Sequence, residues 1–192
     1  MGTLDSKIAL ITGGGSGIGR GTAVRLARDG ANICVVDIDE AGGEETAAEV
    51  REFGRDALVV RANVASKAQI QDAADRCVGE LGGLDIAVAN AGIARGGSVL
   101  DLDVKDWQDQ LDINLTGVFL TVQAAAQRMV TQGRGGRIVC LSSLAARLTG
   151  AHTWGYSATN AGVEIMVRGR LDASPAVPNS SHSVERTWVS RR

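Results

Sequence analysis

The sequence Ile8-Ala-Leu-Ile-Thr-Gly-Gly-Gly-Ser-Gly-Ile-Gly-Arg20 decides the fold of this chain. Its apolar start predicts a buried strand, its glycines predict a turn, and a helical pattern follows from Ile18 to Arg28. The free N–H groups of a helix N-terminus carry partial positive charge, and glycine leaves the backbone open to close approach. The stretch therefore predicts a site for a phosphate-bearing ligand, although glycine-rich turns also occur for structural reasons.

Composition limits the class of protein. The 192 residues suffice for one domain with a real core, and a formal net charge of -2 gives no reason to expect nucleic acid or an acidic membrane surface as partner. No apolar run approaches the roughly 20 residues that span a bilayer, and the N-terminus does not resemble a signal peptide. Because Cys34, Cys77 and Cys140 have no CxxC spacing, we expect buried thiols, no metal site and a cytoplasmic location.

Apolar strands alternate with helical segments along most of the chain. This alternation predicts a parallel sheet covered on both faces, and right-handed crossovers make it a doubly wound, Rossmann-like sheet with three α/β/α layers. The predicted strands are Lys7–Thr12, Asn32–Asp37, Ala57–Arg61, Leu84–Ala89 and Arg137–Leu141. The predicted helices are Ile18–Asp29, Glu44–Phe53, one that Ser66 caps and that ends at Leu81, Val104–Thr131, and one that carries Tyr156.

Asp37 sharpens the interpretation of the glycine turn. It closes the second predicted strand, near the offset of about 20 residues at which an acidic side chain binds the adenosine ribose of a dinucleotide. An acid at this place repels a 2′-phosphate, and neither Ser16 nor Ile38 supplies a cation. The pattern favours NAD over NADP, while a turn or cap role for Asp37 stays open as the alternative.

Further polar groups lie where predicted strands end or on the helices that follow. They are Asn63-Val64, Ala89-Asn-Ala-Gly92, Asn114-Leu-Thr-Gly117, Ser142-Ser143 and Tyr156-Ser-Ala-Thr-Asn160. This is the edge at which open α/β sheets bind their ligands. Each group alone is a weak signal, but their order and spacing together are specific.

With these motifs, the chain resembles the short-chain dehydrogenase/reductase family over residues 5 to about 169. Thr12-Gly13-x-x-x-Gly17-Ile18-Gly19 matches the cofactor turn of that family, and Asn90-Ala91-Gly92 matches its Asn-Ala-Gly element. Asn63-Val64 lies where the family has Asp-Val next to the adenine. The resemblance implies that residues 1–169 form an NAD-binding domain. The implied cofactor-binding residues are Thr12, Gly13, Gly15, Ser16, Gly17, Ile18, Gly19, Asp37, Ile38, Asn63, Val64, Asn90, Ala91, Gly92, Tyr156 and Asn160.

The resemblance also implies a catalytic set, Asn114, Ser143 and Tyr156. In the family, the tyrosine hydroxyl exchanges a proton with the substrate oxygen while hydride moves to or from the nicotinamide. The serine holds that oxygen, and the asparagine positions a water molecule for proton relay. Ser143 precedes Tyr156 by the usual 13 residues, whereas Ser142 breaks that spacing and would face the other side of the strand. The implied function is an NAD-dependent oxidoreductase acting on a small alcohol or ketone, without a metal ion.

One departure from the family affects catalysis. Asn160 stands where the family has a lysine, whose positive charge favours ionisation of the tyrosine and which binds the nicotinamide ribose. Losing that charge would cost about 100- to 1000-fold in rate at neutral pH. The alternatives to an active enzyme are therefore an impaired NAD-binding protein and a truncated product without function.

The last part of the chain departs from the family as well. From about Arg170 the alternation of strands and helices stops, and the segment is rich in Ser, Pro and Arg. We interpret residues 170–192 as irregular or disordered, and as a frameshifted tail on a C-terminally truncated member that lacks the last strands of the family.

A further expectation concerns assembly. Leu111, Leu115, Val118, Val122 and Ala126 recur at helical spacing, which core packing explains in part. In the family this helix and the tyrosine helix pack across a subunit interface. The resemblance therefore implies a homodimer or homotetramer.

Overall fold

The computed structural model describes residues 2–168 and 184–191. They form a parallel six-stranded sheet in the order β3-β2-β1-β4-β5-β6. The strands are β1 (Ile8–Thr12), β2 (Asn32–Asp37), β3 (Ala57–Arg61), β4 (Ile86–Ala89), β5 (Gly136–Ser143) and β6 (Val184–Arg191). The helices are α1 (Gly17–Arg28), α2 (Glu40–Glu52), α3 (Lys67–Leu81), α4 (Val104–Gln110), α5 (Gly117–Gln132) and α6 (Trp154–Arg168).

Helices cover both faces of the sheet, as predicted. On one face, α1 and α2 pack on alternate residues of β1 and β2, among them Ile11 and Ile33. On the other face, α3, α5 and α6 pack on the intervening residues, such as Leu10 and Val36. Every residue of β1 is buried, because helices lie above and below it. The doubly wound, three-layer α/β/α fold is confirmed.

The order of the strands creates a crevice in the middle of the sheet. From β1 the chain proceeds outward through β2 and β3, and then returns to form β4 on the other side of β1. Parallel pairing brings Ile11 opposite Val88, so that β1 and β4 end side by side. Open α/β sheets bind ligands at such a switch point.

Two helices differ from the sequence prediction. Helix α2 begins at Glu40, four residues before the predicted start, and contains Gly42 and Gly43. Glycine at these positions allows close packing, since a Cβ on Gly43 would lie 2.8 Å from Val59 Cγ1. The predicted helix Val104–Thr131 is interrupted by a π-helical segment, Leu111–Thr116, between α4 and α5.

The end of the chain also differs from the expectation. Residues 184–191, for which irregular structure was expected, form β6 and pair in parallel with β5. Without β6 this edge of β5 would leave backbone groups unpaired, and Val184, Thr187, Trp188 and Val189 are residue types that favour strands. The remainder of the predicted irregular segment, residues 169–183 and 192, lies outside the described residues.

The three cysteines are buried free thiols, as predicted. Burial raises the pKa of Cys140 to about 11, which keeps this thiol protonated at neutral pH. Within residues 2–168 and 184–191, no cluster of His, Cys, Asp and Glu side chains could hold a metal ion. The helices in the same ranges are too short or too polar for any of them to cross a membrane.

A buried carboxylate fixes the end of the sheet opposite the crevice. Asp85 Oδ2 accepts a hydrogen bond from the Ile8 amide at 3.0 Å, and Arg134 Nε donates to Asp85 Oδ1 at 3.0 Å. Asp85 is 7% exposed, so its oxygens replace water for the start of β1. The side chain therefore joins β1 to the loop that precedes β5.

We predict that Asp85→Ala lowers the free energy of unfolding by about 2–3 kcal/mol, because the buried Ile8 amide loses its acceptor. Urea unfolding followed by circular dichroism measures the change. The matched control is Asp75→Ala, which removes the exposed ion pair with Arg128 and should cost less than about 1 kcal/mol. Equal losses in the two variants would contradict the role given to Asp85.

Candidate functional site

A cleft of about 310 Å³ opens at the carboxyl ends of β1 to β4. The glycine turn, the end of β2 and the segments after β3 and β4 form its walls. Predicted cofactor-binding residues make up most of the lining, and the structure adds Val36, Ala62, Ile93 and Ile113. The predicted residues in the lining are Gly13, Ser16, Gly17, Ile18, Asp37, Ile38, Asn63, Val64, Asn90, Ala91 and Gly92.

The glycines of the turn serve two purposes. Gly13 and Gly17 have φ of 64° and 52°, a conformation that favours glycine. A Cβ on Gly13 would lie 2.8 Å from Ala91 Cα, and one on Gly19 would overlap the carbonyl oxygen of Gly13. A Cβ on Gly17, in contrast, would meet no atom within 4 Å. The turn is thus packed tightly on the protein side and open on the side of the cleft.

Helix α1 presents its N-terminus to this cleft. Its first hydrogen bond runs from the Arg20 amide to Ser16 O at 3.0 Å. The amides of Gly17, Ile18 and Gly19 therefore precede the helical hydrogen-bond ladder. Such amides, together with the helix dipole, attract an anion.

Asp37 lies at the end of β2 and is the only charged residue among the described residues of the cleft lining. Its Oδ2 accepts a hydrogen bond from the Gly15 amide at 2.8 Å, and its Oδ1 accepts one from the Asp39 amide at 3.0 Å. The carboxylate is thus held between the glycine turn and the start of α2. The role of a turn residue and the role of a ligand-binding acid are compatible, because each oxygen can accept a further hydrogen bond.

Asn90 and Thr12 join the glycine turn to the end of β4. Asn90 Nδ2 donates to Thr12 O at 2.9 Å and to Gly13 O at 3.0 Å. Thr12 Oγ1 accepts from the Asn90 amide at 3.1 Å and is itself buried. Thr12 is among the predicted cofactor-binding residues. In the structure it lies behind the lining of the cleft and positions Asn90.

Asn63 and Val64 form the wall of the cleft after β3. Asn63 Oδ1 accepts from the Ala65 amide at 3.0 Å, and the Asn63 amide donates to Gln69 Oε1 at 2.7 Å. Val64 packs against Gly117, where a Cβ would come within 2.7 Å of Val64 Cγ2. Both residues line the cleft without adding charge.

A small cavity of about 20 Å³ adjoins the cleft, and Asn114, Tyr156 and Asn160 lie around it. A cavity of this size has room for about one water molecule. It shares Asn90, Ala91 and Gly92 with the cleft and is completed by Val118 and Leu141. None of these described residues carries a charge.

Asn114 lies in the π-helical segment Leu111–Thr116. Its Oδ1 accepts from the Ile93 amide at 2.8 Å, and its Nδ2 donates to Ile93 O at 2.8 Å. The side chain therefore pairs with the backbone of Ile93 as a neighbouring strand would. The widened helical turn brings this carboxamide to the segment that follows β4.

Asn160 and the two serines have distinct neighbours. Asn160 Nδ2 donates to Tyr156 O at 2.8 Å, within α6. Ser142 is buried and donates to Asn160 O at 3.2 Å, so it faces α6. Ser143 is the last residue of β5 and lies on the face opposite Ser142, which is the face of Leu141. Its Oγ accepts a hydrogen bond from the Ala145 amide at 3.2 Å.

Gln110 supports this site and was not found from the sequence. It is fully buried, its Oε1 accepts from the Arg95 amide at 3.1 Å, and its Nε2 donates to Asp106 O. A Cβ on Gly155, the residue before Tyr156, would lie 2.6 Å from Gln110 Nε2. The spacing to Asn114, one helical turn, is the signal that could have identified it.

Comparison with known proteins identifies a family model and relatives that match this chain. Residues 7–173 match the family model described as short chain dehydrogenase. L-rhamnose 1-dehydrogenase (NAD(P)(+)) of Sphingomonas sp. (strain SKA58) is 35% identical over 185 residues, which are 96% of this chain and 71% of the relative. 2-dehydro-3-deoxy-D-gluconate 5-dehydrogenase of Escherichia coli (strain K12) is 36% identical over 161 residues, 84% of this chain and 63% of the relative.

Solved structures have the same fold. The crystal structure of carveol dehydrogenase from Mycobacterium avium in complex with NAD matches with a TM-score of 0.84 and 36% identity. The match covers 88% of this chain and 65% of that protein. The chain thus spans about two thirds of the length of the relatives that it matches.

Proposed function

We propose, because the chain belongs to the short-chain dehydrogenase family, that it is an NAD-dependent oxidoreductase for a small alcohol or ketone. The observation that carries the proposal is the cleft between the glycine turn and Asp37, which adjoins the cavity of Asn114, Tyr156 and Asn160. The cleft can hold a dinucleotide, and the adjoining cavity is lined by Tyr156, whose hydroxyl can exchange a proton.

The cleft fits a dinucleotide in shape and chemistry. Gly17 leaves open space at the N-terminus of α1, where free amides would bind the pyrophosphate. Asp37 would accept hydrogen bonds from the adenosine ribose, and Asn63 and Val64 would lie against the adenine. The segment Asn90–Gly92 would lie beside the nicotinamide half, next to Tyr156.

The charges at the cleft support NAD over NADP. None of the described residues in the cleft lining is lysine or arginine, while Asp37 is negative. Arg20, the nearby cation on α1, is paired with Glu45 at 2.8 Å and with Glu49 at 3.7 Å. A 2′-phosphate would therefore meet the Asp37 carboxylate in a described lining that contains no lysine or arginine.

The chain's own residues would perform the proton transfer. The Tyr156 hydroxyl would donate a proton to the carbonyl oxygen during reduction or accept one from the alcohol during oxidation. Ser143 would hold the same oxygen with its hydroxyl, and Asn114 would hold the segment after β4 and the relay water. Bound nicotinamide would supply or accept the hydride.

A specific observation favours a second candidate, a dinucleotide-binding protein with little turnover. Asn160 occupies the place of the family lysine, and its Nδ2 is engaged with Tyr156 O. The described residues around the cavity are neutral, so none of them supplies the positive charge of the family lysine. In this candidate the cleft is intact and proton transfer is slow.

Assembly and location complete the proposal. An apolar groove of about 350 Å³ is lined by residues of α5, β5 and α6, among them Phe119, which is 47% exposed. We infer that a second copy of the chain covers this face, because the groove is apolar and exposed apolar patches mark interfaces. The three unpaired cysteines suit a reducing cytoplasm.

The first prediction concerns the choice of cofactor. Calorimetry should show that NAD binds about 10- to 100-fold more tightly than NADP, since like charges meet at Asp37. In Asp37→Ser the preference should fall below about 3-fold, because the repelling carboxylate is gone. Asp56→Ser, which changes an acid outside the cleft lining, is the control. A chain that binds neither nucleotide contradicts the proposed function.

The second prediction concerns catalysis. Asn160→Lys should increase alcohol oxidation at pH 7 by about 100- to 1000-fold, because it places a positive charge one helical turn from Tyr156. The production of NADH from a panel of secondary alcohols gives the rate. Ala158→Lys is the control, with the same charge on an exposed position of α6. No increase, despite NAD binding, would contradict the charge argument and favour the second candidate.

The third prediction concerns assembly. Light scattering after gel filtration should give the mass of a dimer or a larger oligomer for the chain, and a lower mass for Phe119→Glu. A charge in the apolar groove would have to be buried in the contact between copies. Val99→Glu, which adds the same charge at a loop residue that is 67% exposed, should leave the mass unchanged. A monomeric starting chain would refute the inference.

A further inference from the structure

Arg20, on α1, forms hydrogen bonds with both the glycine turn and the start of α2. Its guanidinium donates to Gly15 O from Nη2 at 2.6 Å and from Nε at 3.2 Å. The same group reaches Gly42 O at 3.3 Å and Thr46 Oγ1 at 3.1 Å, both on α2. One side chain of α1 therefore holds a peptide of the turn against the start of α2.

The residue whose carbonyl Arg20 holds also contacts Asp37 through its amide. The Gly15 carbonyl accepts from Arg20, and the Gly15 amide donates to Asp37 Oδ2 at 2.8 Å. A Cβ on Gly15 would lie 2.9 Å from the same carboxylate oxygen, so the turn and Asp37 are in close contact. A shift of the Gly15 residue would move the donor that orients the carboxylate.

Thr46 supports the same arrangement from α2. It is fully buried, and its hydroxyl lies 2.9 Å from Gly14 O and 3.0 Å from Gly42 O. A hydroxyl has one hydrogen, so it donates to one of these carbonyls while it accepts from Arg20 Nε. Arg20 and Thr46 together hold the carbonyls of Gly14 and Gly15.

The charge of Arg20 is satisfied without Asp37. Glu45 Oε2 lies 2.8 Å from Nη2, and Glu49 Oε1 lies 3.7 Å from Nη1. The guanidinium therefore acts on Asp37 through the Gly15 backbone and not by neutralising it. Only a planar group with several fixed donors can reach two carbonyls and a hydroxyl at once, which a lysine cannot do.

We propose that Arg20 is a positioning residue for the ribose hydroxyls of the adenosine. It fixes the Gly15 carbonyl, and the amide of the same residue, in the preceding peptide group, holds the Asp37 carboxylate at the cleft. This inference rests on the proposed function, since it assigns a determinant of dinucleotide affinity within the same cleft. It extends the site to a side chain that does not line the cleft.

The test uses two small ligands and needs no turnover. Calorimetry measures the binding of ADP and of 2′-deoxy-ADP to the full chain. The chain should prefer ADP by about 10-fold, because the 2′-hydroxyl can donate to a fixed carboxylate. In Arg20→Lys the preference should fall to about 2-fold, mainly through weaker binding of ADP.

Two further variants complete the experiment. Arg25→Lys is the matched control, because Arg25 lies on the same helix, is 72% exposed and pairs with Asp29. It should keep the preference of about 10-fold. Thr46→Val should lower the preference in the same direction as Arg20→Lys, and circular dichroism checks that each variant is folded.

The outcomes are distinct. Reduced preference in Arg20→Lys and Thr46→Val, but not in Arg25→Lys, supports the inference. Equal weakening of both ligands in Arg20→Lys overturns it, since Arg20 would then only stabilise the turn, and an unchanged preference overturns it as well. If the unmodified chain binds NAD but does not prefer ADP, the positioning role fails alone. If it binds neither NAD nor ADP, the proposed function fails first.

Discussion

The close contact of backbone with backbone at the glycine turn is the constraint on which the structure depends. Gly13 lies so near to Ala91 that a Cβ would approach the Ala91 Cα to 2.8 Å, and Gly19 leaves no room for one against Gly13 O. Asn90 closes this contact by donating to Thr12 O and Gly13 O. Any side chain here would push α1 away from β4 and destroy the crevice at the switch point of the sheet.

Most of the sheet and the helices that flank it could be predicted from the sequence because the interior strands are apolar on both faces. The start of α2 could not, since Gly42 and Gly43 are a loop signal along the chain and a packing requirement in space. The π-helical turn was also missed. It depends on the pairing of Asn114 with Ile93, 21 residues earlier, and no local pattern encodes that contact.

The same limit applies to the candidate site. The rule that ligands bind at the carboxyl ends of parallel strands placed Asp37, Asn63 and Asn90 correctly around one cleft. It did not find the residues that support them from behind. Gln110 bonds to a backbone atom 15 residues away and Thr46 to one 32 residues away, and both partners are main-chain groups that every sequence contains.

Carboxamides hold the segments on both sides of β4, and on the side of the cleft this keeps the lining nearly free of charge. Asn114 pairs with both polar groups of Ile93, and Gln132 does the same for Leu84, with hydrogen bonds of 3.1 and 2.6 Å. An ionised side chain could satisfy only the donor or only the acceptor of such a peptide. Neutral amides satisfy both and leave Asp37 as the charge that a ligand meets in the described lining.

The cleft and the small cavity take their polar groups from different elements of the fold. The cleft and the small cavity share the wall of Asn90, Ala91 and Gly92, but the charge of the first comes from β2 and the hydroxyl of the second from α6. Asn160 lies at the second, where its Nδ2 donates to Tyr156 O within α6. A change of residue on α6 can thus alter the cavity while the glycine turn and Asp37 stay in place, since the two depend on different elements of the sheet edge.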